Sequence, residues 1–264
     1  MKIKKENFKI KKYSYESNKI SSYGNIEYKE NQKSKYKIEK LQDLNEEFFD
    51  LGVYEYDLEI ESHDNFKRRF EELILSILCL RVDNRFNIYE ILNKDLIEYK
   101  LDVIEEMSKR IDFIDREFSM LKFRELLLEE DILRIAIENY KFCEVFFCEI
   151  YNKFEENFHG ELVGKKYLTD IIKTDVIPLK LTLTKLENRK YCIIGELDFL
   201  EMGEYRLIES LNKEFSCNIK KIDIYYKKII ELDEYNIPKN IEKTLLISGD
   251  NNFNISKKII IKEV

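Results

Sequence analysis

The sequence predicts an α+β protein: an N-terminal β-rich segment, a central helical bundle, and a C-terminal antiparallel sheet with a ferredoxin-like ββαβ element. Three observations carry this reading. Apolar residues alternate with period two near both ends of the chain, as in strands buried on one face. Between them they recur with the helical period of 3.6, and neither glycine nor proline occurs from Asn87 to Phe158. Charge divides the chain in the same way. Residues 1–40 carry a net +7, residues 41–170 a net −15, and residues 171–264 a net +1. The expected segments are therefore 1–62, 63–172 and 173–264.

The elements follow in order. Ile3, Phe8, Ile10 and Tyr13 alternate in the first stretch, and Ile20, Tyr23, Ile26 and Tyr28 in the next. Gly24-Asn25 between them is a hairpin-turn signal. Residues 30–35 read as a polar loop. Ile38, Leu41, Leu44, Phe48 and Leu51 fit a short helix stopped by Gly52, and 53–62 fit a strand. Ser62-His63-Asp64-Asn65 resembles a helix N-cap, with Phe66, Phe70, Leu73, Ile74, Ile77, Leu78 and Leu80 as its apolar stripe. Asp83-Asn84 ends it. Two stripes follow: Ile88, Ile91, Leu92, Leu96, Tyr99 and Val103, then Ile97, Leu101, Ile104, Ile111, Ile114, Phe118 and Leu121. Two stripes on one helical stretch imply two neighbours.

Residues 132–158 read as a buried central helix. Its narrow polar strip is Glu138, Lys141, Glu144, Asn152 and Glu155, and the rest of 142–151 reads as apolar. After Pro178 come a strand, a turn at 187–190, a second strand, an amphipathic helix over 201–215 and a third strand. Two more strands flank the turn at 250–252.

Composition and motifs exclude more chemistry than they suggest. The hydrophobic content of 44% fills a core, and 37% of residues are charged. Lysine outnumbers arginine 35 to 10 and alanine occurs once. That is the signature of A/T-rich coding, as in a low-GC bacterium or its phage, so lysine-rich stretches carry less weight. There is no apolar run long enough for a membrane helix and no signal peptide. The five cysteines, with no CxxC pair, read as reduced thiols of a cytoplasmic protein. Cys143 and Cys148 lie five residues apart, about 140° around a helix, so they do not chelate together. They read as small core residues. His63 and His159 are the only histidines. Gly160 to Lys166 lacks the spacing of a phosphate loop. Asp250 to Asn254 lacks the glycine and final glutamate of a calcium loop. No cofactor is implied and no catalytic residue is assigned.

Three functional readings remain. The first is a non-enzymatic protein-binding regulator, adaptor or inhibitor. It presents an acidic helical surface to a basic protein or nucleoprotein. The second is nucleic-acid binding through the basic arm. There Lys2, Lys4, Lys5, Lys9, Lys11 and Lys12 meet phosphates and Phe8, Tyr13 and Tyr15 stack on bases. The third is a metal-dependent phosphodiester enzyme, with Glu196 and Asp198 as ligands on one strand face.

Overall fold

The computed structural model describes residues 2–4, 8–61, 73–108, 124, 129–138, 140–147, 149–151, 154–156, 161–168, 171–172 and 175–264. Among these residues a 12-stranded antiparallel sheet dominates. The expected central helical bundle and ferredoxin-like unit are not its architecture, and the α+β reading is corrected to a strand-dominated fold.

The strands are β1 (Ile10–Tyr23), β2 (Ile26–Asp43), β3 (Phe48–Glu61), β4 (Ile77–Asp83), β5 (Ile88–Ile91), β6 (Glu155–Glu156), β7 (Leu162–Leu168), β8 (Ile177–Glu187), β9 (Lys190–Leu197), β10 (Ile222–Leu232), β11 (Pro238–Gly249) and β12 (Asn254–Glu263). The helices are α1 (Lys94–Ser108), α2 (Glu130–Glu138), α3 (Lys141–Phe146) and α4 (Glu204–Phe215), with a 3-10 turn at Glu149–Tyr151. Strand order is β5-β4-β3-β2-β1-β12-β11-β10-β9-β8-β7-β6. The chain thus starts in the middle of the sheet and meanders outward to one edge. It then passes through α1, α2 and α3 to the other edge and meanders back to lie beside its own first strand. Within each half, strands that follow one another in the chain are neighbours in the sheet, as antiparallel pairing allows.

Several strands lie where the period-two pattern puts them. Gly24, with φ of 60°, and Asn25 form the β1–β2 hairpin, pairing Tyr23 with Ile26. The C-terminal strands and α4 appear as expected. Their topology differs from a ferredoxin-like unit, however. α4 links β9 to β10, which are adjacent and antiparallel, whereas a βαβ crossover joins parallel strands.

The errors have local causes. The stretch read as a polar loop lies inside β2, where Gln32, Ser34 and Tyr36 face inward between outward lysines. The short helix over 38–51 is the end of β2, a turn and the start of β3. Asn45 Oδ1 accepts the N–H groups of Glu47 and Phe48 and bends the chain there. Phe49, Leu51 and Val53 then alternate inward. Leu78, Leu80 and Val82 alternate inward on β4, a period two hidden inside a helical pattern. The expected helix start at 62–72 with His63, the second stripe beyond Ser108, Cys148 and His159 lie outside the described residues. The single central helix is broken: α2 ends at Glu138 and α3 begins at Lys141, whose φ is 36°.

The covered face of the sheet holds the core. One end is aromatic: Phe142 stacks on Tyr36 and Phe146, and Phe86 meets Phe8, Phe49 and Tyr151 edge-on. The other end is closed by α4, whose Phe215 meets Tyr23 and Phe253. Sheets this wide curl or split. β7 and β11 are four strands apart, about 19 Å on a flat sheet. Yet Lys166 of β7 and Lys243 of β11 meet on one carboxylate. The sheet therefore curls around α3. Among the described residues no helix is long and apolar enough to cross a membrane.

Candidate functional site

Two features stand out from this frame. The first is inside. Lys228 lies in the apolar alternation Tyr226, Ile230, Leu232 of β10, and Lys243 in the alternation Ile241, Leu245, Ile247 of β11. Both lysines therefore face the core, and the register sets them directly opposite each other. Their exposures are 0% and 1%. Like charges opposed across two strands repel, so carboxylates must intervene. Glu144 of α3 and Glu149 of the 3-10 turn supply them. Glu149 accepts from Lys228 at 2.7 Å and from Lys166 at 2.9 Å. Glu144 lies 3.2 Å from Lys166 and accepts from Lys243. The result is an alternating chain: Lys228, Glu149, Lys166, Glu144, Lys243. Lys243 also lies over the Tyr226 ring at 5.9 Å. Gly195, opposite Tyr226 on β9, makes room for that ring. A Cβ there would sit 3.0 Å from Tyr226 Cδ1 and from Leu181 Cδ2.

From these lysines a row of paired residues, polar but for Ile259, crosses the covered face. Lys243 pairs with Ile259, Ile259 with Ser17, and Ser17 with Gln32. Tyr36 donates to Glu55 at 2.7 Å beside it. Burial, reinforced by Glu55, pushes the Tyr36 phenol well up. Burial pushes Tyr15 up to about 12. For Lys166, burial alone works against the ammonium, but Glu149 and Glu144 outweigh it and hold its pKa well above the ordinary lysine value.

The thiols are set by the same interior. Burial pushes Cys143 up to about 12, with Glu55 adding to the effect. It packs as core filler against the sheet. In the native protein at pH 8, Cys143 should therefore resist iodoacetamide and react only after denaturant is added. Peptide mapping of the alkylated protein reads this directly.

The second feature is on the outside of α1. Asn93 fixes the start of this helix. Its carbonyl accepts from Leu96 and Ile97, and its side chain binds the Cys79 N–H and the Ile77 carbonyl of β4. Ile97, Leu101 and Ile104 are buried, and Lys100 donates to Ser76. The other stripe divides: Ile88 and Ile91 form β5 and are buried, while Leu92, before the helix, and Tyr99 and Val103 on it face out, with Tyr99 64% exposed. Asp95, Glu98, Asp102 and Glu106 are exposed around it. Arg124 donates to Asp102 at 2.6 Å and to Glu105 at 2.5 Å. Among the described residues from 92 to 138, nine are acidic and four basic.

The sequence-derived candidates are placed as follows. Phe8, Tyr13 and Tyr15 are in the core, and Tyr13 donates to the Pro238 carbonyl. Their rings are not free to stack on bases. Lys11 is held by Asp233 and Glu263. Lys2, Lys4, Lys9 and Lys12 are exposed, and Lys5 lies outside the described residues. Glu196 is exposed on β9. Asp198 lies just past that strand, where it accepts from the Leu200 N–H and sits 3.6 Å from Lys165. Among the described residues no three His, Cys, Asp or Glu side chains gather as metal ligands.

Sequence reasoning missed Glu149, Lys166, Lys228 and Lys243. A signal existed: a lysine in phase with apolar neighbours on a strand points inward. The sequence matches no protein-family model, and no curated protein matches it.

Proposed function

We propose that the protein is a binding protein that engages a basic protein partner through the outward face of α1. The observation that carries this reading is the group of exposed apolar residues beside and on α1. The helix is anchored on its Ile97–Leu101–Ile104 side, yet Tyr99 and Val103 on it, and Leu92 just before it, stay exposed. Exposed apolar residues ringed by charge are the surface signature of a docking site, and a solvent-facing tyrosine is a preferred anchor residue. The surrounding acids select a basic partner. They act mainly on encounter rate and specificity, over a screening length of about 8 Å at physiological salt. Nothing in this mechanism requires catalysis; the protein acts by occupying its partner's surface.

The test pairs Tyr99→Ala with Glu98→Lys. Both side chains are exposed, so the double variant should keep its thermal midpoint within about 2 °C, as surface changes do. Proteins that co-purify with the wild type at low salt should be released as salt rises and should be absent from the variant. Recovery of the same proteins with both chains would reject this surface as the interface.

A further inference from the structure

We infer that the corner between β9 and α4 is the centre of an interface between two copies of this chain. Leu200 is 99% exposed and Phe199 65%, and Tyr205 in the first turn of α4 is 80% exposed. The corner that carries them is tightly built. The Asp198 side chain accepts the Leu200 N–H at 3.1 Å, its carbonyl accepts those of Glu201 and Met202, and Met202 is buried. Glu201 also binds Lys165 and Tyr167 of β7, which ties the corner to the sheet. The exposed side chains are thus held out on fixed backbone, so covering them costs little ordering entropy. The patch continues over the sheet face that points away from the core. Lys166, Gly195 and Tyr226 point inward, so Tyr167, Ile194 and Tyr225 point outward, each nearly half exposed.

Area and charge choose the occupant. At about 200 Å² for an aromatic side chain, Phe199, Tyr205, Tyr167 and Tyr225 expose roughly 470 Å² between them. Leu200 and Ile194 add to this. A stable interface takes about 800 Å² from each partner, part of it polar, so this patch supplies most of one side. Glu196, Glu201 and Glu204 are exposed around it, and so are Lys165, Lys180 and Arg206. A rim of both signs in equal number has no field to draw in an anionic membrane or a strongly charged partner. It does complement itself. Glu204 and Arg206 lie on the α4 side of Leu200, and Lys165, Lys180 and Glu196 on the sheet side. A twofold axis through Leu200 lays α4 of one copy over the sheet of the other. Glu204 then meets Lys165 and Lys180, and Arg206 meets Glu196. Such a contact uses the same patch on both copies and closes at two. It is separate from the face of α1 proposed above.

Sedimentation velocity of the purified full chain tests this over about 1–100 μM, which covers the weak end for a contact of this size. At the upper end the wild type should run at twice the chain mass of 32.0 kDa. Leu200→Arg sets like charges against each other across the axis and should raise the dissociation constant more than tenfold. Tyr205→Ser should do the same from the α4 side. Both side chains are exposed, so both variants should keep the wild-type circular dichroism spectrum. Tyr99→Ala should leave the dimer unchanged, which separates this contact from the surface of α1. A wild type that stays at the mass of one chain throughout, or runs above two, would overturn the inference. So would a dimer that either Leu200→Arg or Tyr205→Ser leaves intact.

Discussion

Replacing Glu149 by leucine should destabilise the protein by about 3–5 kcal/mol, the range found when one partner of a buried ion pair is removed. Lys228 would lose the carboxylate at 2.7 Å, and Lys166 the nearer of its two. Domains are stable by only about 5–15 kcal/mol, so this one change takes a large share. Urea denaturation followed by circular dichroism measures it, and a loss below about 1 kcal/mol would show that water reaches these lysines. The pH dependence has a definite sign. The Lys166 pKa is raised in the folded state, so its contribution is complete below the unfolded lysine value of about 10.4 and fades as pH climbs through the raised one. The contribution of Lys166 to wild-type stability should therefore stay constant between about pH 7 and 9 and fade only in strong alkali.

Phe142→Ala should cost about the same, 3–5 kcal/mol, by a different route. The ring is buried, stacks on Tyr36 with centroids 4.1 Å apart and on Phe146 at 5.0 Å, and leans on Tyr13 at 5.9 Å. Its loss opens a cavity lined by rigid aromatics that cannot collapse to fill it. Phe142 and Glu149 seat the same segment. The double variant should thus lose less than the two losses combined, since the second change acts on a segment already unseated. Strict additivity would mean that the aromatic and ionic contacts hold it independently.

Much of the fold was legible where a single local rule decided it. Gly24-Asn25 allowed only a tight hairpin. The strands after Pro178 alternate too regularly to be helices. The two stripes meet on α1 as two faces, but Ile88 and Ile91, which fit the helical period of one of them, form β5. Elsewhere local rules competed. Leu41 and Leu44 give 38–51 a helical period, yet both are exposed, Leu41 near the end of β2 and Leu44 in the turn after it. Ile77, Leu78 and Leu80 satisfied both periods, and sheet pairing chose between them. The pairing of β1 with β12 has no local signal at all, and without it the two β-rich ends read as separate sheets. The ionic chain was half visible. Lys228 and Lys243 occupy inward phases of obvious strands, but Glu149 sits in a largely apolar run that gives no sign of its partners.

The adjacency of β1 and β12 has a consequence for biosynthesis. Some 230 residues separate the end of β1 from the start of β12. At a translation rate of about 5–20 residues per second, β1 waits about 10–50 s for that neighbour. Throughout that interval the nascent chain displays an unpaired row of backbone donors and acceptors, open to any passing strand.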